Sequence, residues 1–240
     1  MTNGQWHFDG QTIKIASDGT LLDGQHRLQA IVQTGLTLDF FVARNIAKAA
    51  QHTMDTGKKR SLADALSIAG EKYATALSAA TTITNRWDRG VRGSSLFGGG
   101  GGGQQKTMTA TMDDLLAHFQ VNSVRIRSAV VVSESLRGDV PVEPRSVSLA
   151  AYVLLSIDEA DAVEFFARLN DGQGLQAGSP ILLLREKLFG LSINKKNQYP
   201  SHYRLALLFK AWNAYRKGQQ LSVLSFTLGG KHPEKFPEPV

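Results

Sequence analysis

Cysteine is absent from the 240 residues of this chain. Without cysteine there is no disulfide bond, no thiolate nucleophile and no zinc site built on sulfur. The absence fits a reducing cytoplasm. The chain also lacks the run of ~18 apolar residues that a membrane-spanning helix needs, and its N-terminus shows no signal-peptide pattern. The sequence therefore predicts a soluble, cytoplasmic protein with no membrane partner.

Acidic residues are fewer than basic ones, 21 against 27, which gives a formal net charge of +6. Between residues 185 and 217, eight Lys or Arg residues accompany a single acid, Glu186. This balance favours polyanionic partners, because Lys and Arg neutralise phosphates, although an ordinary basic surface has the same composition. The candidate DNA-binding residues are Arg204, Lys210, Arg216 and Lys217.

The first 45 residues predict a compact unit of strands and one helix. Residues 12–22 alternate around a Ser-Asp-Gly turn, as a β-hairpin does. Apolar residues at helical spacing then predict a helix over Gln25–Thr34, which Gly35 would end. A further strand is predicted at Leu38–Ala43.

Helical patterns dominate the rest of the chain. Helix-start signals occur at Ser61, Thr111, Asp158 and Ser179. The segment Ser201–Lys217 predicts an amphipathic helix, with Leu205, Leu208, Trp212 and Tyr215 on one side and its basic residues facing away. Because Trp212 is flanked by basic residues, the same helix is a candidate aromatic and basic surface for nucleic acid.

These patterns predict an α+β protein, with a small mixed sheet and helices at the N-terminus followed by a mainly helical C-terminal region. Six consecutive glycines, Gly98–Gly103, predict a flexible connection. We predict four segments: a core at 1–65, a helical extension at 66–97, a glycine-rich linker at 98–106 and a basic helical region at 107–240.

The stretch Leu21–Ala30, LLDGQHRLQA, concentrates polar residues where a strand ends and a helix begins. The first N–H groups of a helix lack partners inside the helix and carry partial positive charge, so they attract phosphate. Gly24 would remove a side chain where an anion approaches, while Arg27 and His26 add donors. The alternative is an ordinary Asp-Gly turn, with Asp23 as a helix cap.

Ile15–Ala30 resembles the nucleotide-binding segment of the ParB/sulfiredoxin superfamily, and DGQHR resembles the signature of DGQHR-domain proteins linked to DNA modification. The stretch also resembles ParB-like proteins of phages and prophages, and the resemblance covers residues 1–65. The matching positions are Gly24, Gln25, His26, Arg27 and Ala30. The resemblance implies a ParB/sulfiredoxin-like mixed sheet whose backbone amides and arginine bind the phosphates of CTP or ATP.

The chain departs from this family at three points. Gln25 stands where sulfiredoxins have cysteine, which excludes their thiol chemistry. His26 and Arg27 stand where ParB proteins have two arginines, so CTP and ATP both stay open. ParB-like cores usually have another strand and helix upstream. Either a segment precedes residue 1 or another part of the chain completes the sheet.

A second polar cluster, Asp55–Ser61, is expected to join the phosphate site. Lys58 and Arg60 would attract phosphate, and Ser61 would start the next helix. The spacing of Gly57-Lys58-Lys59-Arg60-Ser61 is not that of a P-loop. A solvated basic turn is the alternative.

These observations lead to three hypotheses. The first is a ParB-like protein of the phage or prophage type that binds a nucleoside triphosphate and acts on or with DNA; hydrolysis of the nucleotide, a role for Mg²⁺ and a homodimer stay open. Its catalytic residues would be Asp23, His26 and Arg27. The second is a metal-dependent nuclease or phosphotransferase that uses the same pocket. The third is a DNA-binding regulator without enzymatic activity. No histidine pattern predicts a metal site of the protein itself.

Overall fold

The computed structural model describes residues 6–8, 10–48, 61–98, 110–193, 199–229 and 232–240. The chain forms two compact units, Met1–Lys59 and Arg60–Val240. A three-stranded mixed sheet lies in the first unit, and the helices that follow it build the second. The prediction of an α+β protein with a helical C-terminal region is confirmed. None of the helices in these residues is long and apolar enough to cross a membrane.

The sheet of the first unit has β1 (Thr12–Ala16) at its centre, flanked by β2 (Leu21–Asp23) and β3 (Phe41–Ile46). β1 pairs antiparallel with β2 and parallel with β3. Helix α1 (Gln25–Thr34) connects β2 to β3. Since α1 follows β2 after one residue, the start of the helix lies directly at the end of that strand.

The predicted hairpin and helix of this unit are confirmed. α1 has the predicted bounds, and Gly35 ends it in the left-handed conformation, with its N–H bonded to the Ile31 carbonyl at 2.8 Å. The predicted bounds of the last strand, Leu38–Ala43, are three residues too early. β3 begins at Phe41 instead of Leu38, because its pairing with β1 starts at Thr12 opposite Phe41.

Gly24 is needed for the junction between β2 and α1. It is buried, its φ is +100°, and a Cβ at this position would lie 2.3 Å from Cδ1 of Ile13. The missing side chain therefore lets the chain turn tightly against β1. This differs from the expected reason, which was to leave room for an approaching anion.

The second unit consists of helices around one apolar core. Its helices are α2 (Leu62–Ile68), α3 (Ala74–Asp88), α4 (Met112–Ser135), α5 (Pro144–Ile157), α6 (Glu159–Asp171), α7 (Pro180–Ile193) and α8 (Ser201–Arg216). A short 3-10 turn at Gly93–Phe97 follows α3. Helices on both sides of the glycine-rich segment share this core, for example through Leu77, Ile126 and Leu154. Residues 99–109 lie outside the described part of the chain.

The predicted helix starts are confirmed by their hydrogen bonds. Ser61 and Thr111 each form a capping box with the acid three residues later, and Asp158 caps α6. The helical stretch that begins after Ser61 is divided into α2 and α3. Gly70 and Tyr73 adopt positive φ between the two helices, which interrupts the helical path.

Helix α8 is buried on nearly all sides, so its interpretation as an amphipathic helix is wrong. Leu205, Leu208 and Trp212 are buried as predicted, but Leu207 and Phe209 are also fully buried. A helix with apolar residues all round lies inside a core and does not present one polar face. α8 is therefore a central helix of the second unit.

A polar network joins α3, α4 and α5 inside this unit. The Tyr152 hydroxyl donates to Asp88 at 2.7 Å and lies 3.1 Å from Oδ1 of Asn122. Nε2 of His118 lies 3.0 Å from the Thr84 hydroxyl. Burial is the main cause that lowers the pKa of His118; the charges of Arg89 and Arg125 lower this pKa further, while Asp88 raises it. The folded unit therefore favours neutral His118.

We predict that Gly24→Ala destabilises the first unit more than Gly35→Ala does. Both glycines have positive φ, but Gly35 has open space where a Cβ would lie. The left-handed conformation alone costs about 1–2 kcal/mol, and overpacking against Ile13 adds about 1–3 kcal/mol. Hydrogen exchange of the β1 and α1 amides measures the local opening free energy. Equal losses in the two variants would contradict this packing.

We also predict that the second unit loses stability as the pH falls below the ordinary histidine pKa of 6.5. The pKa of His118 is lower in the folded state than in the unfolded state, so the unfolded chain takes up the proton first. Urea unfolding between pH 8 and pH 5 measures the slope, which His118→Gln should reduce. His232→Gln, which removes an exposed histidine of the same unit, is the matched control. A slope unchanged by His118→Gln would contradict the assignment.

Candidate phosphate site at the start of the first helix

The carboxylate of Asp23 lies between two cations where β2 meets α1. Lys14 is the cross-strand partner of Asp23 in the hairpin, and its Nζ lies 3.4 Å from Oδ2. Arg27 follows one helical turn later, and its Nη2 donates to Oδ1 at 3.3 Å. The hairpin register and the helical repeat therefore bring both cations to one carboxylate.

The N-terminus of α1 has no side-chain cap and no acid in its first turn. Gln25 and His26 occupy the first two helical positions, and both are exposed. Neither side chain makes a hydrogen bond or ion pair within the part of the chain that the structure describes. The partial positive charge of the helix start is thus left without a partner from the first turn.

Arg27 keeps one donor nitrogen without an acceptor. Nη2 bonds Asp23, but Nη1 is buried and has no hydrogen-bond partner among the described residues. A buried donor without a partner costs about 1–3 kcal/mol. The site therefore gains stability if an oxygen reaches Nη1.

The charges and energies of this cluster favour exchange of a partner. Lys14 and Arg27 against Asp23 leave one net positive charge. Both ion pairs are partly exposed, and such pairs contribute about 0.2–1 kcal/mol each. A hydrogen bond to a charged group contributes about 1.5–3 kcal/mol. The Arg27–Asp23 contact is itself a hydrogen bond between charged groups, so a phosphate oxygen could replace Asp23 beside Arg27 at little cost.

The second predicted cluster contributes one described residue. Lys58 and Arg60 lie outside the described residues. Ser61 belongs to the second unit, where its hydroxyl caps α2 and lies 2.8 Å from Oδ2 of Asp64. The described role of Ser61 is thus that of a helix cap.

Three of the four candidate DNA-binding residues on or beside α8 engage carboxylates of their own unit. Their partners belong to α6, to the start of α5 and to the C-terminal segment. The pairs are Arg204–Glu143, Lys210–Glu234 at 2.8 Å and Arg216–Asp158 at 2.8 Å. Lys217 is exposed and makes no ion pair within the described ranges. These four cations are close to one another in sequence, but carboxylates of the same unit neutralise three of them.

Trp212 does not form the aromatic surface that its basic neighbours suggested. Its ring is fully buried, and its Nε1 donates to the Val240 main-chain oxygen at 2.8 Å. Phe165 contacts it edge-on, with ring centroids 5.6 Å apart. The side chain is part of the core, which excludes base stacking on it in this structure.

Lys14 is the site residue that the sequence reasoning missed. Its signal was the hairpin register, because a short turn after β1 places Lys14 opposite Asp23.

The second unit also holds two open clefts, of about 460 Å³ beside Lys187 and Tyr199 and of about 290 Å³ beside Arg168 and Gln220. No group of three or more His, Asp or Glu side chains suited to a metal ion occurs among the described residues.

The comparisons with known proteins add no relative. No protein-family model, no curated protein and no solved structure matches this chain. The case for a function therefore rests on the geometry at the start of α1 and on the residues that carry the family resemblance.

Proposed function

We propose that this protein binds the phosphates of a nucleoside triphosphate at the start of α1, and that it is a ParB-like protein of the phage or prophage type that acts on or with DNA. One observation carries the proposal. An uncapped helix start and the side chains of Lys14 and Arg27 meet at a single carboxylate, Asp23, while Nη1 of Arg27 has no acceptor. These are the donors that a triphosphate needs.

The polar groups at the start of α1 would each contribute to phosphate binding or to hydrolysis. The amides at the start of α1 and the guanidinium of Arg27 would bind phosphate oxygens. His26 is exposed in the first turn, where it would donate to a phosphate or carry a proton. Asp23 would orient a water molecule once a phosphate takes its place beside Arg27. Lys14 would hold Asp23 in position through their ion pair.

Magnesium would enter this site together with the triphosphate. Mg²⁺ binds substrate phosphates and water, with only one or two protein carboxylates. Asp23 is the carboxylate at the start of α1, where Lys14 and Arg27 hold it by two ion pairs. The residues therefore fit a metal that the nucleotide brings.

DNA as a partner is supported by composition more than by α8. The net charge of +6 favours association with phosphates. Lys217 is the one of the four predicted residues whose charge no carboxylate of the described chain neutralises. The proposed action on DNA thus depends on the overall charge and on the resemblance of DGQHR to proteins linked to DNA modification.

We predict that Arg27→Ala weakens triphosphate binding by about tenfold to a hundredfold, because a charge-assisted hydrogen bond is lost. Calorimetric titration of CTP, ATP and GTP with Mg²⁺ measures the dissociation constants. Arg44→Ala is the matched control, since Arg44 is an exposed arginine of β3 in the same unit. If wild type binds no nucleotide, or if both variants bind alike, the proposal fails.

We predict that Asp23→Asn binds triphosphate more tightly than wild type when Mg²⁺ is absent. The substitution removes the anion that competes with phosphate for Lys14 and Arg27. The gain should be about twofold to fivefold, which corresponds to the free energy of exposed ion pairs. Titration in EDTA measures it, and Asp39→Asn controls for the loss of one negative charge. Weaker binding by Asp23→Asn would contradict this role of Asp23.

A further inference from the structure

Two arginines of the second unit, Arg86 of α3 and Arg145 of α5, lie at the same 3-10 turn. Nη1 of Arg86 donates to the Leu96 carbonyl at 2.9 Å. The guanidinium carbon of Arg145 lies 5.1 Å from the centroid of the Phe97 ring. Since Leu96 and Phe97 are consecutive, both guanidinium groups lie at the end of this turn.

Neither arginine has a carboxylate partner in the described structure, unlike most arginines of this unit. Arg145 makes no hydrogen bond there at all. The paired arginines are Arg89, Arg92, Arg127, Arg137, Arg168, Arg204 and Arg216. The adjoining segment 99–109 contains no acid, so it supplies no carboxylate wherever it lies. Within the described structure neither guanidinium therefore forms an ion pair, and the carboxylate that acts on Arg145, that of Glu143, is paired with Arg204.

The surroundings of Arg145 disfavour a lone positive charge. The side chain is partly buried against Phe97, and burial is the main cause that lowers its pKa. The nearby charge of Arg86 lowers the pKa further, while Glu143 raises it. Glu143 itself pairs with Arg204 of α8. An arginine stays charged at neutral pH, so an anion would stabilise this pair.

The dipole of α5 also acts at this place, where the carboxylate of Glu143 at the cap position opposes it. Arg145 is the second residue of this 14-residue helix, and no side chain caps the helix start. The helix dipole therefore acts in the same direction as the two guanidinium groups. A guanidinium presents its donors in a planar fork that matches the oxygens of a phosphate.

We propose that Arg86 and Arg145, at the turn Gly93–Phe97, form a second phosphate-binding site, separate from the start of α1. The ligand class is a phosphate group, which either a free nucleotide or the backbone of a nucleic acid supplies. The site uses residues of the second unit alone, so it does not depend on the proposed function of the first.

The test uses the full chain carrying Arg27→Ala, so that the start of α1 is weakened and the second site remains. Pyrophosphate is titrated by calorimetry, and a labelled single-stranded oligonucleotide is titrated by fluorescence anisotropy. In this background Arg145→Gln should weaken binding by about tenfold to a hundredfold. Arg145→Lys should lose less, because it keeps the charge without the fork. Arg137→Gln, which removes an exposed and paired arginine, is the matched control and should bind like its parent.

Each result decides the proposal. Binding of pyrophosphate that depends on Arg145 identifies a nucleotide-type ligand, and binding of the oligonucleotide alone identifies a nucleic acid. The Tm of Arg145→Gln should equal or exceed that of its parent, because a repulsion is removed. If the Arg27→Ala chain binds neither probe, or if Arg145→Gln binds as tightly as Arg137→Gln, the second site is wrong. Such a failure would not affect the test of phosphate binding at the start of α1. A failure of binding at α1 would likewise not affect the test of this second site.

Discussion

The Asp23 carboxylate is the interaction on which the first unit and its candidate site depend. Asp23 is the last residue of β2, and it forms ion pairs with Lys14 of β1 and with Arg27 in the first turn of α1. Few residues of this unit are deeply buried, Ile13 and Ala16 among them. A small core gives modest stability, so polar links between the strands and the helix carry more weight here.

The same carboxylate explains how the site would recognise phosphate. Asp23 is an internal anion that keeps two cations close to the helix start before any ligand is bound. A phosphate would replace a weak, partly exposed pair with charge-assisted hydrogen bonds and would also reach Nη1 of Arg27.

In the second unit most of the described arginines bind carboxylates of the same unit. Seven of its arginines pair with carboxylates, and those of α8 connect this buried helix to its neighbours at the surface. The basic composition of the segment 185–217 thus reflects internal pairing as much as a surface for polyanions. Arg86 and Arg145, like Arg125 and Arg185, have no such partner in the described chain, and Arg86 and Arg145 lie at the same turn.

The features that local sequence determines were predicted well, while those that depend on distant residues were not. The caps at Ser61 and Thr111 and the bounds of α1 follow from neighbours within a few positions, and all are confirmed. α8 was given a polar face, because a helix buried on nearly all sides shows little periodicity. The pairing of Lys14 with Asp23 needed the hairpin register. The approach of Arg86 to Arg145 needed the packing of α3 against α5.

The most direct measurement of the central claim is an NMR titration of isotope-labelled protein with a nucleoside triphosphate. If the start of α1 binds the phosphates, the amide resonances of Gln25, His26 and Arg27 shift together and saturate, along with the side-chain resonance of Arg27. If these resonances stay unchanged while the protein binds nucleotide elsewhere, the start of α1 is not the phosphate site and the account is contradicted.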